Sequence, residues 1–144
     1  MINITPLSNV YLGDWTDAYK RQPGEPRKPQ ADVSITHVLN VAVDADPGRE
    51  KLWPGAAYIH IGMVDGPGNS ARQMQACVDI LEMLAARGPN VRVLVHCVSG
   101  ISRSATVIVK LMRRWGNAKS NEEAVAMLKM HRPCVNPKQE LLDL

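Results

Sequence analysis

The sequence contains no phenylalanine, so its core has to be built from Leu, Val, Ile, Ala and seven Met, with three Trp and three Tyr as the aromatic side chains. It has only three Cys, at 77, 97 and 134, an odd count with no C-x-x-C pair. That argues against a disulfide framework and against a secreted origin. No stretch approaches the roughly 18 apolar residues of a membrane span. The opening "MINITPLSNVYLGDW" has no basic start followed by a long apolar run, so no signal peptide is read there. A cytoplasmic location and no membrane partner are therefore expected. No G-x-x-x-x-G-K motif is present, which removes the usual support for ATP binding. The net charge of +3 is too small to mark a nucleic-acid binder, although it tolerates anionic ligands. Internal repeats and low-complexity tracts are also missing.

The 144 residues are 45% hydrophobic and 22% charged, which fits one domain over 1–144 with a real core. "INI" and "NVYLG" read as short strands around a turn at Pro6, with Gly13 as punctuation. Residues 20–30, "KRQPGEPRKPQ", carry four basic and one acidic side chain among three prolines, and read as an exposed connector or a docking surface for an acidic partner. Residues 35–43 and 91–96 read as buried strands and 56–64 as a further, longer strand. Met74, Val78, Leu81 and Ala85 recur at helical spacing within 70–87, with Ser70 and Gln73 as a capping box and Gly88-Pro89 as the stop. A second helix is expected over 101–115, and a third boxed by Ser120 and Glu123 and ended before Pro133. A short helix is expected in "KQELLDL". Met74, Met83, Met112, Met127 and Met130 are expected in the core. Strands interleaved with helices predict an α/β fold: a central, mostly parallel sheet of about four to five strands flanked by helices.

The chemistry concentrates in residues 91–107, "VRVLVHCVSGISRSATV". Cys97 ends a strand, at the edge where open α/β sheets bind ligands. Val98, Ser99, Gly100, Ile101 and Ser102 form a loop of mostly small residues whose backbone N–H groups can turn inward as an anion nest. The helix that begins near Ile101 aims its N-terminus at the same spot. Arg103 adds a planar fork suited to two phosphate oxygens. The same field lowers the pKa of a thiol, which is ordinarily about 8.5, and thiolate is the attacking form.

"HCVSGISRS", residues 96–104, resembles the H-C-x-x-G-x-x-R-S/T signature of cysteine-dependent protein tyrosine phosphatases. "VYLG" at 10–13, "ITHVLNVA" at 35–42 and "AYIHIGMVD" at 57–65 resemble segments of the small dual-specificity phosphatase subgroup, in the same order. The resemblance implies a dual-specificity phosphatase-like fold and hydrolysis of phosphate monoesters through a phosphocysteine intermediate. It implies that Cys97 is the nucleophile and that Arg103 binds the phosphate and the transition state. It implies that Asp65, 32 residues before Cys97, is the general acid and then the base. Asp65 follows an apolar strand and precedes "GPG", so it stands on a loop at a sheet edge, where such an acid is needed. Ser104 matches the hydroxyl that bonds the sulfur, and His96 a residue that orders the loop and holds the thiol pKa down. No cofactor and no metal are implied.

One departure concerns the family's Pro-Asn pair, whose Asn supports the loop. Here Lys138 follows Pro137, so the support is expected from Asn136 or is missing. Asp44 and Asp46 are read as solvated loop residues, and Cys77 and Cys134 as inert, with a disulfide to Cys97 under oxidation as the rival reading. His131 and Cys134 do not combine with His96 and Cys97 into a zinc set, because adjacent strand residues point to opposite faces. The expected substrates are phosphorylated proteins: phosphotyrosine and, because so short a chain has little material for deep pocket walls, phosphoserine and phosphothreonine. The alternatives are a phosphatase-like binding module without turnover, an RNA 5′-triphosphatase or a lipid phosphatase. The loop carries no lysine, which speaks against polyphosphoinositides. Cys97, Arg103 and Asp65 are all present, which speaks against a module that lost its nucleophile.

Overall fold

The computed structural model describes residues 1–4, 7–18, 34–45 and 53–144. The Pro6 turn, the basic 20–30 segment and Asp46 lie outside the described residues. Five strands form one sheet: β1 (Ile2–Ile4), β2 (Leu7–Gly13), β3 (His37–Ala42), β4 (Ala57–Met63) and β5 (Val93–His96). Their spatial order is β1-β2-β5-β3-β4, with β1 antiparallel to β2 and the other pairs parallel. The last strand in sequence is thus the middle strand in space. Val93 is level with Val10 on one side and His37 on the other, and His96 is level with Gly13 and Asn40.

The β5 pattern explains this central place. Val93 and Val95 enter the larger core cluster, whereas Leu94 enters a second cluster on the opposite face. A strand covered on both faces reads as a continuous apolar run. The larger cluster holds the buried apolar residues of α1 (Ala71–Ala85), α2 (Arg103–Arg114), α3 (Asn121–His131) and α4 (Gln139–Leu142). These four helices therefore lie on one face. On the other, Tyr11, Val38 and Leu94 are covered by Ala18, Ile35, Trp53 and Tyr58. The Trp53 indole N–H donates to the Asp17 carbonyl at 3.0 Å and ties that cover down.

α1 is capped as expected: the Ser70 hydroxyl accepts from the Gln73 N–H, and the Gln73 carboxamide accepts from the Ser70 N–H. At α3 only half of the expected box forms. The Ser120 hydroxyl accepts from the Glu123 N–H, but the Glu123 carboxylate takes the Lys119 N–H instead of that of Ser120. α2 runs through the core, with Ala105–Val109, Leu111 and Met112 buried. Leu111, Leu128 and Leu141 are fully buried from α2, α3 and α4. Each such side chain stabilises the fold by about 1.5–3 kcal/mol. Met74 and Met112 are core residues and Met127 packs against the core. Met83 and Met130 are corrections, being 50% and 81% exposed. Both stand outside their helices' buried stripes, which are already filled by Leu81, Leu84, Ala124 and Leu128.

Candidate active site

The loop from Cys97 to Ser102 joins the end of β5 to the start of α2. The helix begins two residues later than the sequence pattern suggests, because Ile101 and Ser102 belong to the loop. Gly100 shows why this path demands glycine. Its φ is +68°, and a Cβ there would meet the Gly13 carbonyl oxygen at 2.5 Å. Only a residue without a side chain lets the loop pass so close to the end of β2.

Side chains and backbone from distant segments hold the loop's outer side. The Arg132 guanidinium donates through Nε to the Gly100 carbonyl at 3.1 Å and through Nη2 to the Ser99 carbonyl at 2.9 Å. The Trp15 N–H donates to the Val98 carbonyl at 3.1 Å, and the Asn136 N–H to the Ile101 carbonyl at 2.9 Å. With carbonyls turned outward to these donors, the loop's amides are left for the inside, as an anion nest requires. Asn136 thus braces the loop through its backbone, while the residue as a whole is exposed. Arg132 has no sequence signal beyond standing next to the Pro133 helix stop.

The N-terminus of α2 differs from those of α1 and α3. Its N-cap is again a serine, Ser102, but the hydroxyl makes no cap bond. It accepts instead from the Lys138 N–H at 3.1 Å. The first amides of α2 are therefore not closed by their own cap and remain available at the positive end of the helix.

Cys97 is 2% exposed, with its Sγ 3.2 Å from the Ser104 hydroxyl. Burial pushes the thiol up, but the Ser104 hydroxyl, the Ser104 and Gly100 amides and the Arg103 charge outweigh it, so the pKa lies below the ordinary thiol value. Cys77 is the internal contrast. It is equally buried but lacks those donors, and its thiol is pushed up to about 12. Its Sγ faces the Ile61 carbonyl. Cys134 is exposed. His96 is buried, and its Nδ1 lies 2.9 Å from the Cys97 carbonyl. Burial pushes the His96 imidazole below its ordinary value.

The thiolate balance gives a direct expectation. Alkylation by iodoacetamide needs the thiolate, so its rate rises as pH climbs through the thiol pKa. In the Ser104→Ala protein the largest lowering donor is gone, and the midpoint of that rise should move to higher pH. An unchanged midpoint in a variant that melts normally would remove Ser104 from this role.

Arg103, the first residue of α2, is 4% exposed. Its Nη1 donates to the Asp44 carboxylate and, at 2.9 Å, to the Met63 carbonyl, while its Nε is buried with no partner. Asp44 is exposed, as a solvated loop residue should be, yet it also pairs with the buried guanidinium, and that contact holds its carboxyl below the usual carboxylate range. The turn that presents it is shaped by Asn40, whose carboxamide donates to the Ala45 carbonyl at 2.7 Å and accepts from the Ala42 N–H at 3.0 Å. The sequence signal was the "LNVA" stretch itself: a buried asparagine near a strand end needs partners, and a turn supplies them.

Asp65 follows β4, in a turn closed by Asn69, which accepts from the Val64 N–H and donates to the Val64 and Gly66 carbonyls. Its Oδ2 lies 3.3 Å from the Lys138 ammonium, and its Oδ1 is buried with no partner. The ends of β3, β4 and β5 thus bring Asp44, Asp65 and Cys97 to one edge of the sheet, beside the N-terminus of α2.

Residues 10–143 match the dual specificity phosphatase catalytic domain. The chain belongs to that family. It is 29% identical over 132 residues to the dual specificity protein phosphatase 22-B of Danio rerio, covering 91% of this chain and 65% of that protein. It is 28% identical over 137 residues to the human dual specificity protein phosphatase 22, with the same two coverages. Its fold matches the crystal structure of human DUSP28 with a TM-score of 0.76 at 22% identity, covering 99% of this chain and 91% of that one. The chain thus spans 65% of the length of these two curated relatives.

Proposed function

We propose that this protein is a protein phosphatase that hydrolyses phosphotyrosine, phosphothreonine and phosphoserine monoesters through a phosphocysteine. The single observation that carries the reading is the state of Cys97. Its buried thiol is held below its ordinary pKa by donors from one loop and one helix end, next to an arginine whose Nε is buried and unpaired.

In this reading the loop amides of Val98 to Ser102 and the Arg103 guanidinium bind the three non-bridging phosphate oxygens. Cys97 Sγ attacks phosphorus. The S–P bond forms as the bond to the leaving oxygen breaks, and Asp65 gives that oxygen its proton. Water then attacks phosphorus, its proton passes to Asp65, and the S–P bond breaks to release phosphate and restore the thiolate. Ser104 donates to the departing sulfur, which lies at hydrogen-bond distance from its hydroxyl. His96 orders the loop through the Cys97 carbonyl. Asp44 orients Arg103 by holding one guanidinium nitrogen. No step calls for a metal or a cofactor.

The membership in the dual specificity phosphatase family supports proteins as substrates. The lack of lysine in the loop weighs against polyphosphoinositides, and the modest net charge against an RNA 5′-triphosphatase. A cytoplasmic location fits the sequence and the finding that no described helix is long and apolar enough to cross a membrane. The test is phosphate release from matched phosphotyrosine, phosphothreonine and phosphoserine peptides, with a 5′-triphosphorylated RNA and a phosphoinositide as further substrates. Release from the peptides, blocked by vanadate, is expected. Release from only the RNA or the lipid would overturn the substrate class, and tight binding of phosphopeptides without release would identify a binding module.

A further inference from the structure

Lys138 connects two parts of the site, the phosphate-binding loop and the turn after β4. Its backbone N–H donates to the Ser102 hydroxyl at 3.1 Å, at the end of the phosphate-binding loop. Its neighbour Asn136 is bonded to Ile101 in the same loop. Its own carbonyl accepts from the Leu141 and Leu142 N–H groups and starts α4. The Lys138 backbone is thereby seated on the loop. From there its side chain reaches the turn after β4. Nζ donates to the Asp65 carbonyl at 2.7 Å and stands 3.3 Å from Asp65 Oδ2.

The turn does not orient Asp65 by itself. Asn69 closes its neck by bonding Val64 and Gly66, but it leaves the Asp65 carboxylate untouched. The ammonium takes the Asp65 carbonyl and one carboxylate oxygen. The other, Oδ1, is buried and unpartnered.

We propose that Lys138 is a positioning residue: it latches the Asp65 turn onto the phosphate-binding loop by holding the Asp65 carbonyl and one carboxylate oxygen, Oδ2. The inference rests on the reading of Asp65 as the general acid. The pair is roughly half exposed, with side-chain exposures of 49% and 37%. Ion pairs in such a setting add little stability. The latch therefore acts on geometry, where a displacement of about 1 Å can cost about 100-fold in rate.

The test compares Lys138→Ala and Lys138→Arg with wild type on a series of phosphate esters, from fluorinated aryl to alkyl leaving groups. In Lys138→Ala, kcat/KM should fall by about tenfold or more for alkyl esters, where proton transfer is needed most, and by much less for fluorinated aryl esters. The plot of rate against leaving-group pKa becomes steeper. Lys138→Arg, which can still span the gap, should recover most of the loss. Inhibition by vanadate should change little, because the bond from the residue 138 backbone to Ser102 survives any side chain. The melting temperature should move by no more than a few degrees. Equal losses for all esters, no loss, or no recovery by arginine would overturn the latch. An Asp65→Asn protein that keeps its alkyl-ester activity would instead show that the acid itself had been misplaced.

Discussion

Cys97→Ser is expected to lower kcat for every phosphate ester by about 10³-fold or more, the scale of losing a covalent nucleophile. The reason lies in what the surroundings of the sulfur can do. The Ser104 hydroxyl, the Ser104 and Gly100 amides and Arg103 together hold a buried thiol below its ordinary value. A serine hydroxyl starts far higher, so the same donors leave it protonated and a poor nucleophile at neutral pH. The fold should survive. Oxygen in place of sulfur removes little volume, and Ser104 and the loop amides remain to bond the hydroxyl. The measurements are kcat on p-nitrophenyl phosphate, a thermal melt and vanadate binding. A stable protein that still binds vanadate and has lost turnover is the expected outcome. Residual activity above a tenth of wild type would remove Cys97 as nucleophile.

Asp65→Asn should slow turnover by roughly 10²–10⁴-fold, the range for losing a general acid. Asparagine keeps the shape, and the Lys138 contact to the residue 65 carbonyl is untouched by the change. What disappears is the transferable proton. The loss should therefore be largest for alkyl phosphates, whose leaving alkoxide needs protonation, and smallest for aryl phosphates with acidic phenols. Equal losses across leaving groups would place the acid elsewhere, and Asp44 would be the next carboxylate to replace.

The strands and helices were readable because each obeys a local rule. The stripe of Met74, Val78 and Leu81 and the serine caps at Ser70 and Ser120 are set within one or two turns of chain. The candidate site loop carries its signal locally for the same reason. Cys97, the loop that follows it and Arg103 lie within seven consecutive residues, Cys97 to Arg103. The exposed Met83 and Met130 were misread because a helical period says which residues share a face but not how wide the covered face is.

The residues that reading missed act across long gaps. Asp44 meets Arg103 over 59 positions, Lys138 meets Asp65 over 73, and Arg132 meets Ser99 over 33. None has a periodic or capping signature, since an exposed aspartate, lysine or arginine is the ordinary surface residue. By itself, the amino-acid sequence determined a parallel α/β sheet and a cysteine at a strand end facing a helix N-terminus, because backbone geometry and side-chain period are short-range. Only the tertiary structure decided which carboxylate pairs with the guanidinium and which cation holds the Asp65 turn. Those choices depend on which strand ends the sheet order places side by side, and that order is settled by packing both faces of the whole sheet at once.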